Sequence, residues 1–197
     1  MPDDLFAQLD AELNELAEDI TDDMGKLSEK KAAITKSLIE NFWKILIRFD
    51  KRKIHFVMEP SPGAFATFEE FPDKWAFREN IRFADYPQIF LIDKTQDQGR
   101  TGDSLRAWYY PVGKEMHFRL VFEYCEGEHY YKYSGWKRIF AQQILYDSPV
   151  DKVNLNKIWE ILAGLVKVWF ESHLRRNRDL LLKYVKENFE KGETFTQ

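Results

Sequence analysis

Met116-His117-Phe118-Arg119-Leu120-Val121-Phe122-Glu123-Tyr124 is the stretch on which the fold turns. Successive side chains of a strand point to opposite faces, so Met116, Phe118, Leu120, Phe122 and Tyr124 line an apolar face. His117, Arg119, Val121 and Glu123 line a largely polar one. Two residues on, Glu126-Gly127 offers a hairpin turn, because glycine accepts positive φ. That turn would set Tyr124 opposite His129, Phe122 opposite Tyr131 and Leu120 opposite Tyr133, apolar face against aromatic face. Upstream, a turn at Val112-Gly113 would bring Tyr109, Ala107 and Leu105 opposite Met116, Phe118 and Leu120. A three-residue loop starting at Pro111 competes and would shift that register by one.

Working outward toward the N terminus, Ile54-His55-Phe56-Val57-Met58 and Ile89-Phe90-Leu91-Ile92 are rich in strand formers, with a further strand expected near Ala64–Phe68. Pro60-Ser61-Pro62-Gly63 breaks the first of these. The polar run Thr95–Ser104 has little to bury and reads as a loop. Downstream, Ser134 or Gly135 opens a short helix expected to carry Trp136, Ile139, Phe140 and Ile144. A long helical region follows from about Asn154 to Phe189, with Ile158, Leu162, Leu165 and Trp169 as its stripe. Strands segregated between helical ends, not alternating with helices, make the class α+β, with a mainly antiparallel sheet of about five or six strands.

Residues 1–50 read as a helical arm and 51–197 as the globular body. In the arm Phe6, Leu13, Ile20, Leu27 and Ile34 recur every seven residues, which keeps one apolar stripe on one side of a helix. Gly25, behind Asp22-Asp23, is a candidate break between two helices, with Ser28 capping the second. Net charge over the 197 residues is −4. Ten acids against two lysines give residues 1–30 a net −8, whereas residues 31–60 carry +4. The basic runs Lys51-Arg52-Lys53 and Arg175-Arg176-Asn177-Arg178 are too short for a persuasive nucleic-acid patch.

With 44% hydrophobic and 16% aromatic residues, the chain has the apolar surface to fold, and it is neither disordered nor of low complexity. One cysteine, Cys125, excludes an internal disulfide framework. His55, His117, His129 and His173 show no metal-ligand spacing, so no metal and no cofactor are expected. The most apolar stretch, Ile158–Phe170, carries Glu160 and Lys167 and is too short to span a bilayer, so a cytoplasmic protein off the membrane is expected.

Two functional readings follow. The first is a non-enzymatic interaction or assembly protein, acting on a protein partner or a second copy through the acidic arm and the aromatic helices around Trp43, Trp159, Trp169 and Phe170. The second is a ligand or single-strand nucleic-acid module on the polar sheet face, using Arg106, Trp108, His117 and Arg119. The register above puts Trp108 across from His117 and the two arginines side by side, where an anion would relieve their repulsion and aromatics could stack bases. Catalytic residues are not identifiable. Asp73, Asp93, Lys94 and Glu123 supply the residue types of a metal-dependent nuclease, but no spacing selects them. Cys125 with His129 lacks a third orienting group, and Gln98-Gly99-Arg100-Thr101-Gly102 lacks a phosphate loop's Gly-Lys ending.

Overall fold

The computed structural model describes residues 2–59, 66–70, 74–77, 88–95 and 102–196, with side chains described at Leu13, over 23–58, 88–95 and 102–196. It is α+β, built on one antiparallel sheet. Its elements are α1 (Pro2–Asp50), β1 (Phe56–Glu59), β2 (Ala66–Glu70), β3 (Lys74–Phe77), β4 (Gln88–Asp93), β5 (Ser104–Val112), β6 (Glu115–Tyr131), β7 (Gly135–Pro149), α2 (Leu155–Arg175), α3 (Arg178–Asn188) and β8 (Glu190–Thr196). Six strands hydrogen-bond in the order β1-β4-β5-β6-β7-β8, and β2 pairs separately with β3.

α1 is continuous through Gly25, so the expected division into two helices does not occur. Acids crowd its front and Arg48 sits in its last turn, the charge order that complements a helix dipole. It stops in a tight reversal: Lys53 adopts φ +62, its N–H bonds to the Asp50 carbonyl, and Ile54 N–H reaches back to the Phe49 carbonyl. Phe49 and Ile54, the two side chains such a cap brings together, are both buried.

The central hairpin keeps the expected faces but moves its partners by two residues. Its turn is Gly113-Lys114, with Gly113 at φ +61, so Tyr109 faces Phe118, Trp108 faces Arg119, Tyr110 faces His117 and Arg106 faces Val121. The arginines are therefore not side by side. Glu126-Gly127 is not a turn. β6 runs straight through it, absorbing the extra residue as a bulge between Cys125 and Gly127, and Tyr124 pairs with Ala141. Reversal comes five residues later, where Ser134 N–H bonds to the Tyr131 carbonyl and Gly135 takes φ +75. The segment from Gly135 is strand β7, not a helix, and after α3 the chain returns as β8 along β7.

The helices lie on the sheet face formed by Leu105, Ala107, Phe118, Leu120, Phe122 and Tyr124, which is buried. Trp169 of α2 is fully buried there, its ring 5.3 Å from Phe122, 4.9 Å from Phe56 and 6.3 Å from Phe49. Leu38, Ile39, Phe42 and Trp43 of α1 join the same core, together with Leu162, Leu165, Leu181 and Val185. Trp159 and Phe170 pack against it. Trp43 and Trp169 are thus buried in the protein's own interior, with Trp159 and Phe170 half-buried against it, while Leu174 of α2 is exposed.

Candidate functional site

The arm stripe divides along its length. Ile34 belongs to the core and Leu27 packs against it. Leu13 is 53% exposed and Met24 68%. Phe6 and Ile20 lie outside the residues whose side chains are described. Ahead of the core residues of α1, Asp23, Lys26, Leu27 and Lys30 border a groove shared with Lys114, Met116 and Asp151. Lys30 reaches Asp151 Oδ1 at 2.5 Å. Some twenty residues of helix, about 30 Å at 1.5 Å per residue, precede that point.

On the polar sheet face, Arg106, Trp108, His117 and Arg119 do share one side, and each arginine is held by a carboxylate. Arg119 donates from Nε to Asp147 Oδ2 at 2.5 Å and lies over the Tyr110 ring, 4.4 Å from its centroid. Tyr110 also donates to Asp147 Oδ2, and His117 Nδ1 lies 3.1 Å from Oδ1. Burial works to raise the Asp147 carboxyl; hydrogen bonds from Tyr110, His117 and Arg119 outweigh it and hold the group below the usual aspartate range. Arg106 donates to Glu123 Oε2 at 3.2 Å and to Gln88 Oε1 at 2.7 Å, and its guanidinium sits over Phe90 and Trp108. Gln142 adds a further hydrogen bond to Glu123. The described helices pack on the opposite face, and on this one Val121, which pairs with Arg106, is fully buried. Most of this face's charges are joined in internal networks, while the buried Nε of Arg106 has no hydrogen-bond partner among the described residues.

Two features escaped sequence reasoning. One is the tip of the β6–β7 hairpin, where Tyr133 (94%), Trp136 (70%), Tyr130 (56%) and Tyr131 (38%) are exposed together. The Tyr130 and Trp136 rings pack 5.6 Å apart, and Lys132 Nζ lies over Tyr133. Placing the turn at Glu126-Gly127 hid this tip, because it assigned its two arms to different elements.

The other is a buried polar cluster where β4 and β5 meet α2 and α3. Asp93, fully buried, accepts from Trp169 Nε1 at 3.0 Å and from the Thr95 backbone N–H at 2.9 Å, and its Oδ2 lies 2.6 Å from His173 Nε2. Trp169 and His173 are four apart on α2, the spacing that puts both on one helical face and was the signal available in the sequence. Beside them Arg178 clasps Asp103 with Nε and Nη2 and donates to the Cys125 carbonyl. Burial pushes the Asp103 carboxyl up, against the lowering effect of Arg178, while Asp103 pushes the Arg178 guanidinium higher still. Gly102 is required here, since a Cβ at that position would fall 1.6 Å from the Asp93 carbonyl oxygen.

Among the described residues no three His, Cys, Asp or Glu side chains converge as metal ligands, and no helix is long and apolar enough to cross a membrane. No protein-family model, curated protein or solved structure matches the chain.

Proposed function

We propose that the protein is a non-enzymatic interaction and assembly protein whose primary contact is the front of α1. The observation that carries this reading is that Leu13 and Met24 stand exposed on a helix whose later turns are sealed into the core. Large apolar side chains grouped on an exposed face mark surfaces that bind other proteins, and Leu13 and Met24, eleven positions apart on a helix, share one face. The net −8 over residues 1–30 selects a partner with a basic surface around an apolar groove. A second copy of this chain is one such candidate, because the outward face of its own α1 carries Lys36, Lys44 and Arg48, all exposed. The aromatic hairpin tip supports the same reading as a second contact, Trp and Tyr being the residues that most often anchor interfaces.

Light scattering of the full chain from low to high micromolar concentration tests this directly. Assembly gives a mass above 23.6 kDa that Leu13→Asp with Ile20→Asp returns to the monomer value without lowering the melting temperature. A wild-type chain that remains at 23.6 kDa throughout removes self-association and leaves only a different basic partner. Assembly that survives the double variant but is lost in Tyr133→Ser with Trp136→Ser moves the contact to the hairpin tip.

The alternative, a ligand or single-strand nucleic-acid module on Arg106, Trp108, His117 and Arg119, is left with weaker support by the carboxylate partners of both arginines. It would require oligonucleotide binding that falls with salt and weakens in Arg119→Ala.

A further inference from the structure

Thr95, Ser172, His173, Arg176 and Arg178 line a cavity of about 330 Å³ at the junction of α2 and α3. Its lining is two guanidiniums, one imidazole and two hydroxyl-bearing residues. The two nearby carboxylates are turned to other duties, Asp93 to Trp169, Thr95 and His173, and Asp103 to Arg178. We propose that this cavity binds a small oxyanion, a phosphate or carboxylate group, held by Arg176 and Arg178 against the imidazole of His173.

Three observations converge on that ligand. The His173 side chain is 7% exposed and fixed through Nε2 to Asp93, yet its other ring nitrogen, Nδ1, has no partner among the described residues. That nitrogen is open to solvent at the cavity that His173 lines, so an oxygen-bearing ligand there takes the place of water on it. With Nε2 carrying the hydrogen toward Asp93, Nδ1 accepts from a protonated oxyanion when the ring is neutral and donates to an ionised one when the ring is charged. Either way it suits an acidic oxygen group better than an apolar one.

Arg178 is held rigidly. Nε and Nη2 are spent on Asp103 and the Cys125 carbonyl, which fixes the plane of the guanidinium and leaves Nη1 as the unspent donor. Arg176 is placed at a cost, because it occupies φ +51 at the end of α2, where glycine would sit without strain. That φ closes the end of α2, with Arg176 N–H on the His173 carbonyl and Asn177 N–H on the Ser172 carbonyl, and leaves an exposed guanidinium on the cavity's lining. A cavity of this volume holds a small molecule carrying one such group rather than a polymer.

The test follows the His173 Cε1–Hε1 resonance of the full chain by two-dimensional NMR, assigned by its loss in His173→Gln. Inorganic phosphate, acetate and chloride are titrated separately at constant ionic strength. A saturable shift with phosphate, with acetate, or with both supports the site and names the group it prefers. Arg176→Gly then weakens binding about tenfold or more, the worth of one charge-assisted hydrogen bond. Its melting temperature stays level or rises, because glycine relieves the positive φ. An absent or non-saturating shift, an equal shift with chloride, or unchanged binding in Arg176→Gly overturns the proposal.

Discussion

Single residues carry two of the clearest consequences of this structure. Lys53 holds φ +62 only to close the cap that joins Phe49 to Ile54, and a side chain there works against its own Cβ. Lys53→Gly is therefore expected to stabilise the protein by about 1 kcal/mol, seen as a rise of roughly 2–4 °C in melting temperature. Asp147 sets a pH dependence. Its carboxyl is lowered in the folded state, so the folded chain releases that proton more readily than the unfolded chain does. The resulting stability is fully present above the unfolded value near 3.9 and is lost as pH falls through the lower folded value. Melting temperatures measured from pH 6 down to pH 2 are expected to fall less steeply in Asp147→Asn than in the wild type. What the sequence disclosed at this scale was face membership: Arg106, Trp108, His117 and Arg119 do lie on one side. Their partners were not legible, because a register shift of two preserves every face while exchanging every neighbour. Asp147, expected near the end of a helix, could not be foreseen beside them.

Among the elements, α1 runs unbroken over Pro2–Asp50, and Gly25 lies in it ahead of the turns sealed into the core. Gly25 is exposed, and a Cβ there would meet nothing within 4 Å. Gly25→Ala is expected to gain about 1 kcal/mol of local helix stability, read as roughly fivefold slower amide exchange in the residues that precede it. Unchanged exchange would mean that the front of α1 is already held by something other than its own hydrogen bonds. The same length scale explains which elements could be read. β6 was legible over Met116–Tyr124 because one of its faces is core and the other is not. β7 was opaque for the opposite reason. Phe140, Ala141, Gln142 and Gln143 are all buried, two on each face, so the alternation that identifies a strand is missing. The apolar positions Trp136, Ile139, Phe140 and Ile144 then imitate a helix. Glu126-Gly127 misled because a bulge and a turn ask for the same residue types.

For the molecule as a whole, Trp169 joins the apolar core to the polar cluster. Its ring packs against strands β1 and β6 and the end of α1, while its Nε1 holds Asp93. Trp169→Phe keeps most of the packing and leaves Asp93 one donor short, an expected loss of about 1–3 kcal/mol. Trp169→Ala adds a cavity and is expected to cost about 3–5 kcal/mol, which chemical denaturation can separate from the milder variant. Equal losses would place the whole contribution in the hydrogen bond and none in packing, and an unperturbed Trp169→Phe would place it all in packing. The outermost strand, β8, has its own bearing on how copies meet. It is largely exposed and carries Glu190, Lys191 and Glu193. An open row of backbone donors and acceptors invites a neighbouring chain to add itself as a seventh strand, and alternating charge discourages that growth. Endless ribbon-like stacking is thereby disfavoured at this border, and any ordered union between copies is left to side chains elsewhere.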